Sequence, residues 1–359
     1  MEYLDETLVA QLPKLTPYIL DWYDRSARVL PWRSTPTPYR VWISEIMLQQ
    51  TRVEAVIGYF ERFLAALPDV PSLAAASEET LMKLWEGLGY YSRARNLQKA
   101  AKIIMQDYDG QLPADFDALC ALPGIGEYTA GAISSIAFGL AKPAVDGNVL
   151  RVLARILASG ADITSPKVKK EFTAAVQGMI ARDRPGDFTQ SLMELGATVC
   201  LPNGAPLCLG CPVAHECRAF RQGRAIDLPV KPEKKARKLE QRTVLVIRCQ
   251  EKLFVQQRPN TGLLAGLWEY VNLPGHYTLP QLTADLVKRG LTGNFIHLKP
   301  SKHIFTHIEW QMQGWLLNLD GDPPSPGETG RWVTKKELLE QYTLPTAFKA
   351  YTNVIKNDL

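Results

Sequence analysis

The stretch LCALPGIGEYTAGAI, residues 119–133, decides the fold of the first part of the chain. It predicts an apolar helix that ends at Leu122, a turn over residues 123–126 whose two glycines permit unusual backbone angles, and a second helix from Glu127. Such a turn exposes backbone N–H groups at the positive end of the second helix, and these groups suit one phosphate. Helical hairpins of many kinds use glycine, so the more specific signal is the longer string L-P-G-I-G-x-x-T.

The spacing of apolar residues divides the 359-residue chain into two folds. Up to residue 221, apolar side chains recur at intervals of three and four, as at Leu81, Leu84 and Trp85, which predicts helices. Beyond a basic stretch the interval becomes two, which predicts strands over 243–249, 252–259, 268–274 and about 294–318, with helices over about 279–290 and after Pro345. We therefore expect a multidomain protein: an all-α domain over 1–221 with its hairpin over about 112–138, a basic linker over 222–242, and a smaller α+β domain over 243–359.

Bulk composition narrows the classes of function. The formal net charge of +4 equals the local surplus in residues 231–242, so nucleic-acid binding has to come from individually placed groups. No stretch approaches the apolar length of a membrane span, and the first residues contain no signal-like apolar run. Six cysteines, four of them clustered, are typical of a reducing compartment. We expect a cytoplasmic protein without a membrane partner.

Four cysteines lie close together in the loop over 200–217: Cys200, Cys208, Cys211 and Cys217. Their spacing, C-x7-C-x2-C-x5-C, predicts one metal centre held by an irregular loop, and a [4Fe-4S] cluster is the favoured interpretation. Zinc is the first alternative, although zinc sites usually pair two close cysteine pairs and only one pair is close here. A disulfide framework is the second alternative. His215 lies inside the loop and is expected on the surface beside the four thiols, with replacement of one thiolate ligand as the alternative.

Two acidic residues stand in informative places. Asp146 precedes a strongly periodic helix, where an N-cap role would satisfy free N–H groups. Glu45 lies in the otherwise apolar run VWISEIML, residues 41–48, where desolvation would raise its pKa and let it act as a general acid. On these residues alone, a solvent-facing Glu on the exposed side of the helix is the alternative.

Several blocks together resemble one family of DNA repair enzymes. The hairpin, the Asp146-Gly147-Asn148 turn and the four-cysteine loop, in this order, resemble the endonuclease III superfamily of helix-hairpin-helix DNA glycosylases. Within it, LPWR (30–33), WISEIMLQQT (42–51) and WEGLGYYSRARNL (85–97) closely resemble the adenine DNA glycosylases of the MutY family. The resemblance extends over residues 20–220 without a large gap.

The resemblance implies removal of adenine mispaired with 8-oxoguanine, or with guanine, from double-stranded DNA in base excision repair. The adenine would be flipped out of the duplex. Glu45 would protonate it, Asp146 would stabilise the cationic sugar, and Tyr128 with Asn148 would orient Asp146 and a water. Tyr128 stands where bifunctional members carry a Schiff-base lysine, so the enzyme is expected to be a monofunctional glycosylase. The resemblance also implies a monomer that associates with the nucleoid through DNA. The other implied residues form three sets: Arg28, Leu30, Trp32 and Gln190 in the adenine pocket; Gly124 and Gly126 on the DNA backbone; and Gln49, Gln50, Thr51, Leu88 and Tyr90 in contact with the duplex.

The second domain resembles the Nudix-like, MutT-related domain of the same family, most clearly in TGLLAGLWEYVNLP, residues 261–274. The carboxylate run that a Nudix hydrolase uses to hold metal is missing from the sequence, so the domain is expected to bind a purine without hydrolysing it. Family members use a Phe-Ser-His tip to detect 8-oxoguanine, and this chain offers Phe305, Thr306 and His307. Seven residues separate Cys200 from Cys208 where the family usually has six, which we attribute to an extended surface turn over 202–206.

Two rival functions remain open on the sequence. The first is a thymine or uracil mismatch glycosylase of the same fold, although such enzymes usually lack both the Glu45 block and a second domain. The second is a non-catalytic iron–sulfur DNA-binding protein, which would leave the joint presence of Glu45, Tyr128 and Asp146 unexplained.

Overall fold

A computed structural model describes residues 2–232 and 236–358. These residues form two compact units. The first unit runs up to Ala75 and resumes at Asn96, and the second combines Ala76–Arg95 with the chain from Ala236 onward. None of the helices in the described ranges has both the length and the apolar character needed to cross a membrane.

Helices account for the regular structure of the described residues before the gap, as the spacing predicted. They are α1 (Glu6–Val9), α2 (Thr16–Ser26), α3 (Pro31–Ser34), α4 (Pro38–Leu48), α5 (Val53–Ala66), α6 (Val70–Ala75), α7 (Glu78–Trp85), α8 (Ser92–Asp107), α9 (Phe116–Ala121), α10 (Glu127–Ala132), α11 (Gly147–Ile156), α12 (Pro166–Met179), α13 (Pro185–Thr198) and α14 (Arg218–Arg221). A π-helical turn, Ile133–Ala137, extends α10, and 3-10 turns occupy Leu12–Leu15 and Cys208–Gly210.

Helix α4 is the central element of the first unit. It begins with Pro38, a residue suited to the first helical turn, and the Thr37 hydroxyl caps it by accepting the Arg40 N–H at 3.3 Å. Its side chains are buried on almost every face, from Tyr39 to Met47, because α3, α5, α10 and the π-helical turn pack around it. A polar side chain on this helix is therefore removed from water unless it faces a cavity.

Helices α11, α12 and α13 build a second layer of the same unit with α2. Their fully buried residues include Val149, Leu153, Phe172, Phe188 and Leu195. Helix α11 begins where the Asp146 side chain accepts the Val149 N–H at 2.8 Å, so the predicted N-cap is confirmed. The same cap places the Asp146 carboxyl group at the N-terminus of α11.

The second unit is built on a seven-stranded mixed sheet. Its elements are β1 (Lys238–Cys249), β2 (Lys252–Gln257), β3 (Trp268–Glu269), β4 (Val271–Pro274), α15 (Leu279–Lys288), β5 (Gly293–Ile304), β6 (Ile308–Leu319), β7 (Gly330–Thr334), α16 (Lys335–Glu340), a 3-10 turn (Thr346–Phe348) and α17 (Lys349–Asp358). The strand order is β3-β2-β1-β6-β5, with β4 paired to β1 and β7 paired to β2. Strands β1 and β6 are parallel, and the remaining pairs are antiparallel. Gly314 on β6 is required by packing, because a Cβ there would lie 2.2 Å from the Tyr351 ring of α17.

Two features of the second unit differ from the sequence-based expectation. Strand β1 begins at Lys238, inside the predicted linker over 222–242, because its polar first residues pair with β6 from Lys238 opposite Ile308 onward. The linker residues 233–235 lie outside the described ranges. Strand β7 and helix α16 were not predicted, since their short charged sequence has no clear period.

The segment Ala76–Arg95 also belongs to the second unit, although it lies inside the predicted helical domain. Backbone groups far along the chain hold it in place: Lys83 donates to the Tyr342 carbonyl at 3.3 Å, and Arg95 donates to the Ala265 carbonyl at 2.8 Å. Glu86 accepts the Leu344 N–H at 3.1 Å. Helical spacing cannot report such contacts, because it is a local property of the sequence.

Candidate active site

One cavity of about 740 Å³ in the first unit brings together half of the predicted site residues. Its walls include the predicted catalytic set Glu45, Tyr128, Asp146 and Asn148, the predicted pocket set Arg28, Leu30, Trp32 and Gln190, and the adjacent Gln49, Gln50 and Thr51. These residues come from widely separated parts of the chain. The structure therefore supplies the proximity that the sequence motifs could only suggest.

The Glu45 side chain lies at the centre of this site. Glu45 is 5% exposed, which excludes the solvent-facing alternative. The Tyr128 hydroxyl donates to Glu45 Oε2 at 2.6 Å. Burial raises the pKa of Glu45 to about 7, Asp146 adds to the rise, and the hydrogen bond from Tyr128 and the charge of Arg33 oppose it. Near neutral pH this carboxyl group is consequently available as a proton donor.

Asp146 is the second carboxyl group of the site, and its oxygens have two hydrogen-bond donors. One oxygen accepts the Val149 N–H at 2.8 Å, and the other accepts the Asn148 side-chain amide at 2.7 Å. The pKa of Asp146 is raised, because burial outweighs these two hydrogen bonds, which lower it. The two carboxyl groups thus have different partners: a phenol for Glu45, and a helix N-terminus with an amide for Asp146.

Sequence reasoning missed a chain of hydrogen bonds from Asp146 to the cysteine loop. Arg151, 5% exposed, donates to Asn148 Oδ1, to the Gly196 carbonyl and to the Cys200 carbonyl, each at 2.8 Å. Arg155, one turn later, approaches Cys200 Sγ to 3.2 Å. The available signal was the pair of arginines four residues apart within the apolar run of α11.

Sequence reasoning also missed a buried charge cluster at the wall of the 740 Å³ cavity. The Glu194 carboxylate accepts Arg28 Nε at 2.6 Å and an Arg33 guanidinium N–H at 2.8 Å. All three residues line the cavity. A lone glutamate in the apolar sequence SLMELGA was the signal that could have identified it.

The hairpin glycines have two different structural reasons. Gly124 adopts φ +80°, and a Cβ there would lie 2.8 Å from Asn96 Cβ, so only glycine fits. Gly126 has an ordinary extended conformation at the N-cap of α10, with open space where its Cβ would be. Neither glycine lines the 740 Å³ cavity.

Four further predicted residues lie in the second unit around another cavity, of about 620 Å³. Tyr90 and residues 305–307 all line it, and the Tyr90 and Thr306 hydroxyl oxygens are 3.0 Å apart. The Phe305 ring is half-buried against Trp310, with ring centroids 5.0 Å apart, so it is anchored in its own unit and does not project as a free wedge. Leu88 is buried and lines neither cavity.

The four clustered cysteines line one small cavity beside Arg155 and are all free thiols. Burial raises the pKa of Cys211 to about 12, so a bound cation would be needed to keep its sulfur as thiolate. Among the described residues, no group of three or more His, Cys, Asp or Glu side chains is arranged to hold a metal ion. Four cysteine thiols that line one cavity are the donor set that a [4Fe-4S] cluster requires.

Comparison with known proteins first defines the class. Residues 43–177 match the model of the HhH-GPD superfamily of base excision DNA repair proteins, and residues 243–353 match the NUDIX domain model. The fold is similar to a thermostable thymine-DNA glycosylase, with a TM-score of 0.54 and 26% identity over 59% of this chain and 98% of that one. It is also similar to endonuclease III in a non-covalent DNA complex, with a TM-score of 0.50 and 25% identity over 59% of this chain and 97% of that one. The first unit therefore has the fold of a base excision repair glycosylase.

Curated relatives then define the family. The chain is 37% identical to the adenine DNA glycosylase of Rattus norvegicus over 92% of this chain and 76% of the relative, and 36% identical to that of Homo sapiens over 92% and 72%. It is 35% identical to the adenine DNA glycosylase of a Buchnera aphidicola strain over 89% and 92%. The chain belongs to the adenine DNA glycosylase family, whose members are hydrolases of N-glycosyl bonds.

Proposed function

We propose that this protein hydrolyses the N-glycosidic bond of adenine mispaired with 8-oxoguanine or guanine in double-stranded DNA. The observation that carries the proposal is the buried pair of Tyr128 and Glu45 on the wall of a cavity that also contains Asp146. A flipped base fits such a cavity, since pockets for small molecules fall between about 300 and 1,000 Å³.

Glu45 is the general acid in this mechanism. With a pKa of about 7 it is largely protonated in slightly acidic solution and half protonated near neutrality. It donates a proton to N7 of the flipped adenine, so the glycosidic electron pair leaves with a neutral base. The Tyr128 hydrogen bond to Oε2 fixes the orientation of the carboxyl group during this transfer.

Asp146 stabilises the sugar once the bond breaks. Its carboxylate faces the positive charge that develops on C1′ and the ring oxygen, as carboxylates do in glycoside hydrolysis. Asn148 holds one of its oxygens, and Asn148 is held in turn by Arg151. Water then adds to C1′ and loses a proton, which leaves an abasic site.

Tyr128 makes the proposed enzyme monofunctional. A phenol at this position cannot form the Schiff base that precedes strand cleavage. Lys169 and Lys231 also line the cavity, so the absence of cleavage has to be tested by experiment. A monofunctional enzyme leaves DNA that breaks only after hot alkali.

DNA contacts are assigned to groups outside the chemical centre. Gly124 and Gly126 of the hairpin would bind the backbone, with the first setting the turn and the second leaving room for a phosphate. Gln50, exposed and held at φ 58°, follows the end of α4 beside Gln49 and Thr51. Such a strained, exposed loop suits insertion into the space left by a flipped base.

Recognition of 8-oxoguanine is assigned to the second unit. Tyr90 and Thr306 present hydroxyl groups to the 620 Å³ cavity, and the Thr306 hydroxyl retains the donor that the family places there as serine. His307 is exposed beside Thr306 at the same tip. Phe305 supports the tip through its contact with Trp310.

Cys200, Cys208, Cys211 and Cys217 are proposed to hold a [4Fe-4S] cluster, which would fasten the loop over 200–217 to α11. Protein prepared with ample iron should contain about four iron and four sulfide per chain and be yellow-brown. Cys211→Ser should lower the iron content, whereas the distant Cys249→Ser should leave it unchanged. Stoichiometric zinc without iron, in protein prepared with ample iron, would contradict the assignment of a [4Fe-4S] cluster.

The reaction itself is tested on four duplexes containing A:8-oxoguanine, A:G, T:G or U:G, each resolved on gels with and without hot alkali. We expect adenine release from the first two only, with strand breaks only after alkali. Glu45→Gln and Asp146→Asn should each lower single-turnover release by about 10²-fold or more while binding to A:8-oxoguanine DNA stays within a few-fold, because both groups act in the transition state.

The control is Asp187→Asn, which removes an exposed carboxylate from α13 and should release adenine at the normal rate. Preferential release of thymine or uracil would favour the rival glycosylase. Tight DNA binding without release of any base would indicate the non-catalytic alternative.

A further inference from the structure

The mechanism above gives no role to the most deeply buried carboxylate of the cavity. The Glu194 side chain is 0% exposed and accepts four hydrogen bonds from two arginines. Arg28 donates from its backbone N at 3.2 Å, from Nε at 2.6 Å and from a terminal guanidinium N at 3.0 Å, and Arg33 donates at 2.8 Å. A carboxylate so far from water is retained only when its charge is paired and its oxygens are bonded.

We propose that Glu194 is a positioning residue for adenine release: it fixes Arg28 and Arg33 at the cavity wall and balances their charge beside the proton donor Glu45. This inference rests on the proposed function. Glu194 would affect the general acid Glu45 through the two arginines and would not contact the adenine.

The geometry ties the two arginines into one unit. Arg33 also donates to the Arg28 carbonyl at 3.1 Å, so both guanidinium groups and the intervening chain are held together. The bidentate contact of Arg28 with both carboxylate oxygens leaves little freedom to its planar guanidinium. Their side chains are 32% and 14% exposed, so solvent screens Arg33 poorly.

The charge balance reaches Glu45 through Arg33. The charge of Arg33 lowers the pKa of Glu45, against the larger effect of burial and the repulsion from Asp146. The titratable and charged groups around Glu45 are Arg33 on α3, Tyr128 on α10 and Asp146 at the cap of α11, with Arg28, Glu194 and Glu54 beyond Arg33 and with Lys169 and Lys231 on the cavity wall. The π-helical turn that packs against α4 carries no charged residue.

Loss of the Glu194 charge would remove the counter-charge of Arg33 and leave Arg28 with the exposed Glu54, 4.0 Å away. The attraction of the two arginines for an ionised Glu45 would increase, and the pKa of Glu45 would fall. Since only protonated Glu45 donates, activity would then be lost at a lower pH. A charge acting over about 10 Å at an effective dielectric constant of about 20 moves a pKa by about one unit.

The test is the pH dependence of single-turnover adenine release from A:8-oxoguanine duplex. In the wild type, the rate should fall as the pH rises through about 7, the pKa of Glu45. This decline in rate forms the alkaline limb of the pH profile, and Glu194→Gln should shift the limb to a pH about one unit lower. Arg33→Met, which leaves Glu194 paired with Arg28, should move it up, and the double variant should return it toward the wild-type position.

Asp187→Asn on the same helix removes an exposed charge and should leave the limb in place. If wild-type protein releases no adenine, the proposed function is wrong. If it does, and Glu194→Gln lowers the rate equally at every pH, Glu194 is merely structural and the inference fails. If circular dichroism shows that Glu194→Gln does not fold, Arg33→Met provides the test. An unchanged pH for the decline in adenine release by Arg33→Met would overturn the proposal.

Discussion

At the scale of single residues, the active cavity depends on giving different partners to two nearby carboxyl groups. Glu45 is desolvated inside α4 and bonded to a phenol, which favours its protonated form. Asp146 accepts a helix N–H and an amide, both of which favour its charged form. The two carboxyl groups therefore have different hydrogen-bond partners, while burial raises the pKa of both.

Arg151 is the residue on which the second of these environments depends. Arg151→Met would leave the Asn148, Gly196 and Cys200 oxygens without their buried donor, at a cost of about 1–3 kcal/mol for each unpaired group. We expect lower stability in urea and slower adenine release at saturating enzyme. Arg151→Lys should not restore either property, because one ammonium cannot reach three acceptors in a fixed geometry. Arg182→Met, at an exposed position, is the control and should behave as wild type.

At the scale of elements, the two glycines of the hairpin allow the effect of backbone strain to be measured apart from the effect on DNA binding. Gly124→Ala should lower the free energy of unfolding by about 1–2 kcal/mol, because alanine at φ +80° is strained and its Cβ would overlap Asn96. Gly126→Ala has open space and an ordinary conformation, so its stability should stay within about 0.5 kcal/mol of the wild type.

Both hairpin variants should bind duplex DNA more weakly, which anisotropy at fixed salt would measure. The Gly126 variant is the informative one, because it separates binding from folding. Wild-type affinity in Gly126→Ala would mean that the hairpin turn does not approach the phosphate backbone.

At the scale of the whole molecule, the second unit includes the segment Ala76–Arg95, which lies within the region that matches the HhH-GPD family model. Tyr90 lies in Ala76–Arg95, and its hydroxyl meets that of Thr306 at 3.0 Å. Removing residues 243–359 would therefore take away the partners of Lys83, Glu86 and Arg95 as well as the tip over 305–307 that we propose to read the lesion. A truncation alone cannot separate these effects.

Point variants at Thr306 provide the cleaner test. Thr306→Val removes the hydroxyl at nearly constant volume and should reduce the preference for A:8-oxoguanine over A:G several-fold in single-turnover rates. Thr306→Ser keeps the hydroxyl and should preserve the preference. An unchanged ratio in Thr306→Val would assign lesion reading to groups other than this tip.

The sequence by itself determined the local structures and the identity of the chemical groups. The glycine hairpin, the Asp146 cap, the apolar setting of Glu45 and the two periods of the chain depend on neighbours within a few residues, and the structure has them as predicted. Strand β1 was predicted five residues short because its charged beginning is stabilised by pairing with β6, which lies about 70 residues away.

Only the tertiary structure decided which distant groups meet. It buried Glu194 between Arg28 and Arg33, connected Arg151 to both Asp146 and the cysteine loop, and assigned Ala76–Arg95 to the second unit. Apart from the Arg151–Asn148 bond within α11, these contacts join residues that are far apart along the chain. Their energies depend on burial and on exact approach, and neither is encoded in the spacing of residues along the sequence.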